Sequence, residues 1–208
     1  MKLVRKLAAS SAGAILLAGL VFSPGAFAAV SAGSAPTPTS PPTPYWTVGR
    51  NDAIVTADNT ASKVWFDLQR GAIGETYYPN ITTADSAQMQ FVVVHDGKVT
   101  PETQMSHQYA LVHHNGLAVV VVNTPKSGDY ALTHLYFTNP GNNSIVVRTW
   151  FTVLKGTPSH YQLYVFSHPQ LSNQGDGNSA WTETADSTTM LVSKNANSMG
   201  SVAAALAS

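Results

Sequence analysis

The chain has 208 residues, no cysteine, and equal numbers of acidic and basic side chains, eleven of each. The lack of cysteine excludes a disulfide framework, a thiolate metal site and a cysteine nucleophile. With 11% charged residues, the chain also lacks the clustered Lys and Arg with which proteins bind nucleic acids or anionic membranes.

The first 28 residues have the three parts of a secretory signal peptide. A basic start at residues 2–6 precedes an apolar run over residues 7–22, and residues 26–28 (AFA) form a small-residue cleavage site. The apolar run is too short for a membrane anchor. We therefore expect cleavage after Ala28, a secreted or periplasmic protein, and no membrane attachment. Eight basic and eleven acidic residues then remain, a net charge of −3 with neutral histidines.

Residues 29–44, AVSAGSAPTPTSPPTP, are rich in Pro, Thr and Ser and contain little that can build a core. Because prolines favour extended polyproline geometry, this segment is predicted to be a solvated spacer. The folded domain is expected to occupy residues 45–208, starting at Tyr45-Trp46.

From Tyr45 to Phe166 the sequence has the pattern of short β-strands joined by turns. Turn residues such as Asp96-Gly97, Asn115-Gly116 and the 139–143 segment separate the apolar runs. In SIVVRTWFTVL a period of two fits better than a helical period. The absence of crossover helices predicts an all-β fold, an antiparallel sandwich. The predicted strands are 64–68, 72–78, 89–95, 109–113, 117–122, 130–138, 145–154 and 161–166.

The C-terminal part is less regular. The segment SNQGDGNSAW, residues 172–181, faintly suggests a calcium loop, but it lacks the regular acid spacing and the closing Glu. A polar surface loop is the preferred interpretation. The tail MGSVAAALAS is predicted to be either the first turns of a helix or a strand-to-loop passage. We predict no cofactor, with calcium as the alternative left open.

Few residues could carry chemistry. Glu75 and Glu102 are the main acids that could form a carboxylate pair, but nothing in the sequence brings them together, so solvated or hydrogen-bonded strand roles are expected. His107 and His113, with Glu102, make up the set that a mutarotase-like enzyme would need. The three-ligand spacing of a zinc site does not occur. We predict no catalytic residue and no metal site.

The four tryptophans could stack on sugar rings, because a flat apolar face suits the C–H surface of a pyranose. Trp65 and Trp150 lie inside strand patterns, where core packing is expected. Trp46 and Trp181 border predicted loops and are therefore the candidates for carbohydrate contact.

Residues 62–98, SKVWFDLQRGAIGETYYPNITTADSAQMQFVVVHDGK, carry a family resemblance. They resemble the start of the N-terminal domain of bacterial and archaeal glucoamylases and glucodextranases, in glycoside hydrolase family fifteen. That family has a Ser-x-Val-Trp-Phe strand followed by a Gly, an acid, Tyr-Tyr-Pro, and a strand closed by Asp-Gly. The later stretches VNTPKSGDYALTHLYFTNPGNNSIVVRTWF and YQLYVFSHPQLSNQGDGN follow in the family's order. Within the block, the structural or interdomain motif consists of Trp65, Glu75, Tyr77, Tyr78 and Pro79.

The resemblance implies a large antiparallel super-β-sandwich similar to galactose mutarotase, incomplete at its C-terminus. In the family this domain precedes an (α/α)₆ barrel with two catalytic glutamates, which is absent here. The resemblance therefore implies a supporting, non-catalytic, carbohydrate-associated domain of a secreted α-glucan exo-hydrolase. Its partners would be the barrel and an α-glucan or oligosaccharide, and Glu75 would be structural. Two alternatives stay open, a self-standing carbohydrate-binding module and the mutarotase-like enzyme.

Overall fold

The structure is a computed structural model that describes residue 46 and residues 51–112, 117–174, 176–185, 188–197 and 201–205, the last of these as backbone. The leader and spacer expected in residues 1–44 lie outside these residues, as does the Asn115-Gly116 turn. Across the described ranges, no helix has the length and apolar character needed to cross a membrane.

The described residues form strands and three short 3₁₀ helices. The strands of the first half are β1 (Ala53–Thr56), β2 (Trp65–Gln69), β3 (Ala72–Tyr77), β4 (Ala84–His95), β5 (Lys98–Pro101), β6 (Ser106–Leu111) and β7 (Ala118–Thr124). Those of the second half are β8 (Tyr130–Thr138), β9 (Ile145–Val153), β10 (Tyr161–Pro169), β11 (Asn178–Ala185), β12 (Thr188–Asn195) and β13 (Ser201–Ala205). The 3₁₀ helices are Glu102–Gln104, Pro158–His160 and Leu171–Asn173.

The strands pair antiparallel in three sheets. The first sheet has the order β1-β2-β3-β4-β10, with β5 also paired to β4, and the second has the order β6-β7-β8-β9. The third sheet is β11-β12-β13. Most neighbours are consecutive hairpins, whereas β10 returns across the molecule to pair along β4, with Tyr161 opposite His95. This return joins the later part of the chain to the first hairpins.

The hydrophobic core lies between the first and second sheets. One buried cluster combines β1–β3 with β7 and β8: Val55, Phe66, Leu68, Ile73, Val119, Val121 and Tyr136. A second combines β4 and β10 with β8: Phe91, Val93, Met105, Tyr130, Leu132 and Tyr161. Because alternate strand residues face the core, β8 alternates between buried and half-buried along its whole length. The predicted antiparallel β-sandwich is confirmed.

Two hairpins depend on turn residues in the left-handed backbone region. Asp96 has a φ of 49° and Gly97 a φ of 74°, while Arg70 has a φ of 50° and Gly71 a φ of 79°. Positive φ at both central residues is the mark of a tight two-residue hairpin turn that matches the twist of the flanking strands. The predicted turn at Asp96-Gly97 is confirmed, and Arg70-Gly71 makes the equivalent turn between β2 and β3.

The C-terminal part differs most from the sequence predictions. The helical alternative for the tail is wrong, because Ser201–Ala205 is a strand paired with β12. Pairing with a neighbouring strand has outweighed the helical preference of its alanines. Only the start of the predicted 172–181 loop is irregular, since β11 begins at Asn178. Trp181 consequently lies inside β11, opposite Val192, and not at a loop as predicted.

Elsewhere, one strand is longer than predicted and other strands were not predicted. β4 starts at Ala84, five residues before the predicted strand, and β1, β5 and β12 were not predicted. β1 and β5 have four residues each, too short to show a clear period of two. They form because their neighbours in the first sheet supply the hydrogen-bonding partners.

Candidate functional site

The Tyr-Tyr-Pro block lies on and just after the β2–β3 hairpin. Tyr77 is opposite Trp65 in the strand register, and its hydroxyl donates a hydrogen bond to Glu75 Oε2. The backbone N–H of Glu75 donates to Asp67 Oδ1 across the same hairpin. Burial, together with the carboxylate of Glu75, raises the pKa of Tyr77. The carboxylate of Glu75 thus binds a hydroxyl on its own strand.

Asp67 is the buried acid of this hairpin, with 2% of its surface exposed. Loss of solvent raises its pKa from 3.8 to about 6, and the charge of Glu75 acts in the same direction, while the hydrogen bond from the Glu75 N–H opposes the rise. Between about pH 4 and about pH 6, Asp67 is therefore protonated in the folded protein and ionised in the unfolded chain. The stability that depends on this proton is present below that range and is lost as the pH rises through it.

We expect Asp67→Asn to become progressively more stable than the wild type between pH 4 and pH 7, because asparagine stays neutral. The gain over this range should be on the order of 2 to 3 kcal/mol, from a pKa shift of about two units. Urea unfolding at several pH values measures it, with Asp58→Asn, an exposed acid, as the matched control. An equal pH dependence in Asp67→Asn and wild type would contradict the expectation.

A polar cluster lies between the first and second sheets; it consists of the buried Glu102, Asn123 and His134 with the half-buried His107, and is called the buried polar cluster here. Glu102, in the 3₁₀ helix after β5, has no exposed surface. It accepts hydrogen bonds from the Phe91 N–H (2.8 Å) and the Asn123 side-chain amide (2.9 Å). His134 Nε2 lies 2.9 Å from Glu102 Oε2. The carboxylate therefore joins β4, β7 and β8.

The buried polar cluster continues to the turn between β2 and β3. The amide of Asn123 also donates to the Gly71 carbonyl (3.0 Å), and its Oδ1 lies 3.0 Å from His107 Nδ1. The Tyr136 hydroxyl donates to the same Gly71 carbonyl at 3.2 Å. Burial and the charge of Glu102 raise the pKa of Tyr136 well above its usual value, so the hydroxyl remains a donor.

The other side of Gly71 is held by surface groups. Its N–H donates to the Tyr109 hydroxyl (2.7 Å), which in turn donates to Asp52 Oδ2 (2.7 Å). The Arg70 N–H donates to the same Asp52 oxygen at 2.8 Å. The Arg70-Gly71 turn of the first sheet is thus hydrogen-bonded to β6, β7 and β8 of the second sheet.

This arrangement decides what the predicted histidine and acid can do. The structure brings Glu102 and His107 into one network through Asn123, but His113 lies outside the described residues. Glu102 is fully buried and not solvated, contrary to one of the expectations for it. Because the side chain is buried and bonded to protein donors, a substrate cannot reach it, as it would have to reach a general acid or base. The cluster is built to hold sheets together.

Asn123 and His134 were missed by the sequence analysis. Both lie at inward positions of period-two strands, Asn123 after Val119 and Val121, and His134 between Leu132 and Tyr136. A polar residue at a core position requires a buried partner, and this signal would have identified both. Their common partner, Glu102, is distant in sequence and shows no such pattern.

The two tryptophans predicted to contact carbohydrate are half-buried. The Trp181 indole N–H lies 3.4 Å from Glu183 Oε2 on the same strand. In the 172–178 segment, polar groups bind one another: Asn195 donates to the Asp176 carbonyl (2.8 Å) and to Asn178 Oδ1 (2.7 Å). No group of three or more His, Asp or Glu side chains that could hold a metal ion occurs among the described residues.

Comparisons with known proteins agree with this architecture. A family profile described as "Glucodextranase, domain N" matches residues 37–208. A glucoamylase of Clostridium sp. (strain G0005) is 37% identical over 155 residues, which cover 73% of this chain and 22% of that protein. The crystal structure of a bacterial glucoamylase complexed with acarbose matches with a TM-score of 0.74 and 32% identity, over 80% of this chain and 25% of that chain. The chain thus spans a quarter or less of the length of these relatives.

Proposed function

The chain belongs to the family of glucodextranase N-terminal domains, which also occurs in glucoamylases, and we propose that it supports the catalytic part of an exported α-glucan exo-hydrolase. The domain itself is non-catalytic. It would present a rigid sandwich against which an (α/α)₆ catalytic barrel folds and is held. Contact of the whole protein with α-glucan would come through that barrel.

The observation that carries the proposal is the complete burial of Glu102 among protein hydrogen-bond donors. Its neighbours are the Phe91 N–H, the Asn123 amide and His134, all of them protein groups between two sheets. An enzyme needs a reachable acid or base near a substrate site. Here the same groups stabilise a sandwich, as a supporting domain requires.

A chimeric enzyme tests the proposal. We expect the 155 residues of this chain that align with the Clostridium glucoamylase to replace their counterpart in that enzyme with kcat/KM for maltooligosaccharides within about threefold of the parent, a change below roughly 1 kcal/mol in transition-state stabilisation. A supporting domain transfers in this way because it makes no contact with the reacting bond. Glucose release is measured together with the thermal midpoint of the chimera.

The control is the same chimera with its sheets uncoupled by Glu102→Ala. It should lose thermal stability, while the KM of the fraction that remains folded stays unchanged. Two results would count against the proposal: a stable, folded chimera without activity, or glucose release by the 208-residue chain alone.

A further inference from the structure

The chain passes from the first sheet to the third through the short 3₁₀ turn Leu171–Asn173, which lies between β10 and β11. Two consecutive residues of this turn are in the left-handed backbone region, Ser172 with a φ of 57° and Asn173 with a φ of 65°. Neither residue is a glycine, so both conformations cost free energy and persist only where surrounding contacts impose them. The turn is therefore a strained segment at the junction of two sheets.

Hydrogen bonds to the start of β4, and to the residue shortly before it, hold the turn in this conformation. The Ser172 N–H donates to Asp85 Oδ1 at 3.0 Å. The Asn173 side chain makes two bonds, because its Oδ1 accepts the Ala84 N–H (2.7 Å) and its amide donates to the Thr82 carbonyl (3.1 Å). The strained turn together with these three bonds is called the latch here.

The latch is buried at one end and accessible at the other. Leu171 has no exposed surface, whereas Asn173 is exposed. Since the Asn173 side chain lies at the surface, water can take over its hydrogen bonds when the turn moves away from β4. The two Asn173 bonds can therefore break without exposing the core between the first and second sheets.

The described side chains of the third sheet lie outside that core. No member of the two buried apolar clusters belongs to β11 or β12, and the buried side chains described in β12 are polar, Ser193 and Asn195. Beside the latch, the Asn178 amide joins the start of β11 to the Pro169 carbonyl of β10 at 3.1 Å. Segments with few buried apolar contacts open locally at a lower free energy than the core does.

We propose that the latch holds the third sheet to the first, and that its release opens the third sheet as a unit while the first and second sheets stay folded. The backbone strain favours release and the hydrogen bonds to residues 82–85 oppose it, so the two together set the fraction of open molecules. The sandwich then has a hinge at residues 171–173. This property belongs to the domain itself and does not depend on the proposed function.

Hydrogen exchange of the full chain, read by mass spectrometry on peptides from β8, β11 and β12, tests the proposal. In the wild type, β11 and β12 should exchange roughly tenfold or more faster than β8 after correction for intrinsic rates. Asn173→Ala removes two bonds of the latch and should speed the exchange of β11 and β12 by about tenfold or more, with β8 unchanged. Ser172→Gly relieves the strain and keeps the N–H that Asp85 accepts, so it should slow the same exchange about threefold.

Two changes at turns away from the latch are the matched controls. Asp96→Gly relieves a positive φ of 49° at the turn between β4 and β5. Asn143→Ala removes an exposed side chain whose Oδ1 accepts the Lys63 N–H at 2.8 Å. Neither change should alter the exchange of β11 and β12.

Four results overturn the proposal. The first is wild-type exchange of β11 and β12 as slow as that of β8, and the second is unchanged exchange of these strands in Asn173→Ala. The third is unchanged or faster exchange in Ser172→Gly. The fourth is an equal acceleration of β8 in Asn173→Ala, because the whole sandwich would then open together and the third sheet would not be a separate unit.

Discussion

Replacing Glu102 by alanine is expected to lower the free energy of unfolding by about 3 to 5 kcal/mol, since each buried group that loses its hydrogen-bond partner costs about 1 to 3 kcal/mol. The Phe91 N–H and the Asn123 amide lose their acceptor, and His134 Nε2 loses the carboxylate oxygen that lies 2.9 Å away. Glu102 is completely buried, so water cannot replace the carboxylate without opening the space between the sheets. No other single side chain among the described residues bonds to β4, β7 and β8 together.

Urea unfolding of residues 29–208, followed by tryptophan fluorescence, measures this loss. Glu183→Ala provides the matched control, because Glu183 is an exposed residue of the same type, and its removal should change stability by less than about 0.5 kcal/mol. Glu102→Gln should fall between the two, since glutamine keeps the shape and one acceptor oxygen. A loss below about 1 kcal/mol in Glu102→Ala would show that the buried polar cluster does not hold the sheets together, given the penalties for orphaned buried groups.

Replacing Gly71 by alanine is the second change with a large expected effect, a loss on the order of 3 kcal/mol or more. Gly71 has a φ of 79°. A residue other than glycine in this left-handed region costs about 1 kcal/mol in backbone strain alone. A Cβ atom there would also overlap Asn123 Oδ1 and His107 Nδ1. Asn123 is fully buried and bonded on both sides, so it cannot move aside without breaking the cluster.

Gly97→Ala separates the two causes. Gly97 has nearly the same backbone conformation, with a φ of 74°, but its Cβ would meet no atom within 4 Å. It should therefore show the backbone strain alone, about 1 kcal/mol. The difference between the two variants in urea unfolding reports the contact of the turn with the second sheet. Equal losses of stability in Gly71→Ala and Gly97→Ala would contradict the overlap of a Cβ atom at residue 71 with Asn123 and His107.

The two large effects should not add. Glu102 and Gly71 both bind Asn123, and residues that share a hydrogen-bond network couple in double-mutant cycles. The double variant should therefore lose less stability than the two single losses combined. The buried polar cluster would then behave as one cooperative unit.

The sequence by itself determined the local features of this protein. β8 was predicted with the boundaries it has, Tyr130–Thr138, because alternation and flanking turns both define it. The Asp96-Gly97 turn follows from two residues that tolerate positive φ. The block at residues 62–98 indicated the family, since it combines hairpin, turn and aromatic residues in a fixed order. Each of these signals is carried by residues close together in the chain.

Only the tertiary structure decided where the polar groups lie. Glu102 and His134 meet because the first and second sheets stack, and neither sequence neighbourhood records the other. Trp65 has a strand pattern, yet it is only half-buried and lines an open groove together with residues of the 56–63 and 79–81 segments. The alanine-rich tail is a strand because β12 offers it an edge. Period and turn chemistry act over a few residues, whereas burial and pairing depend on which surfaces meet after the chain has folded.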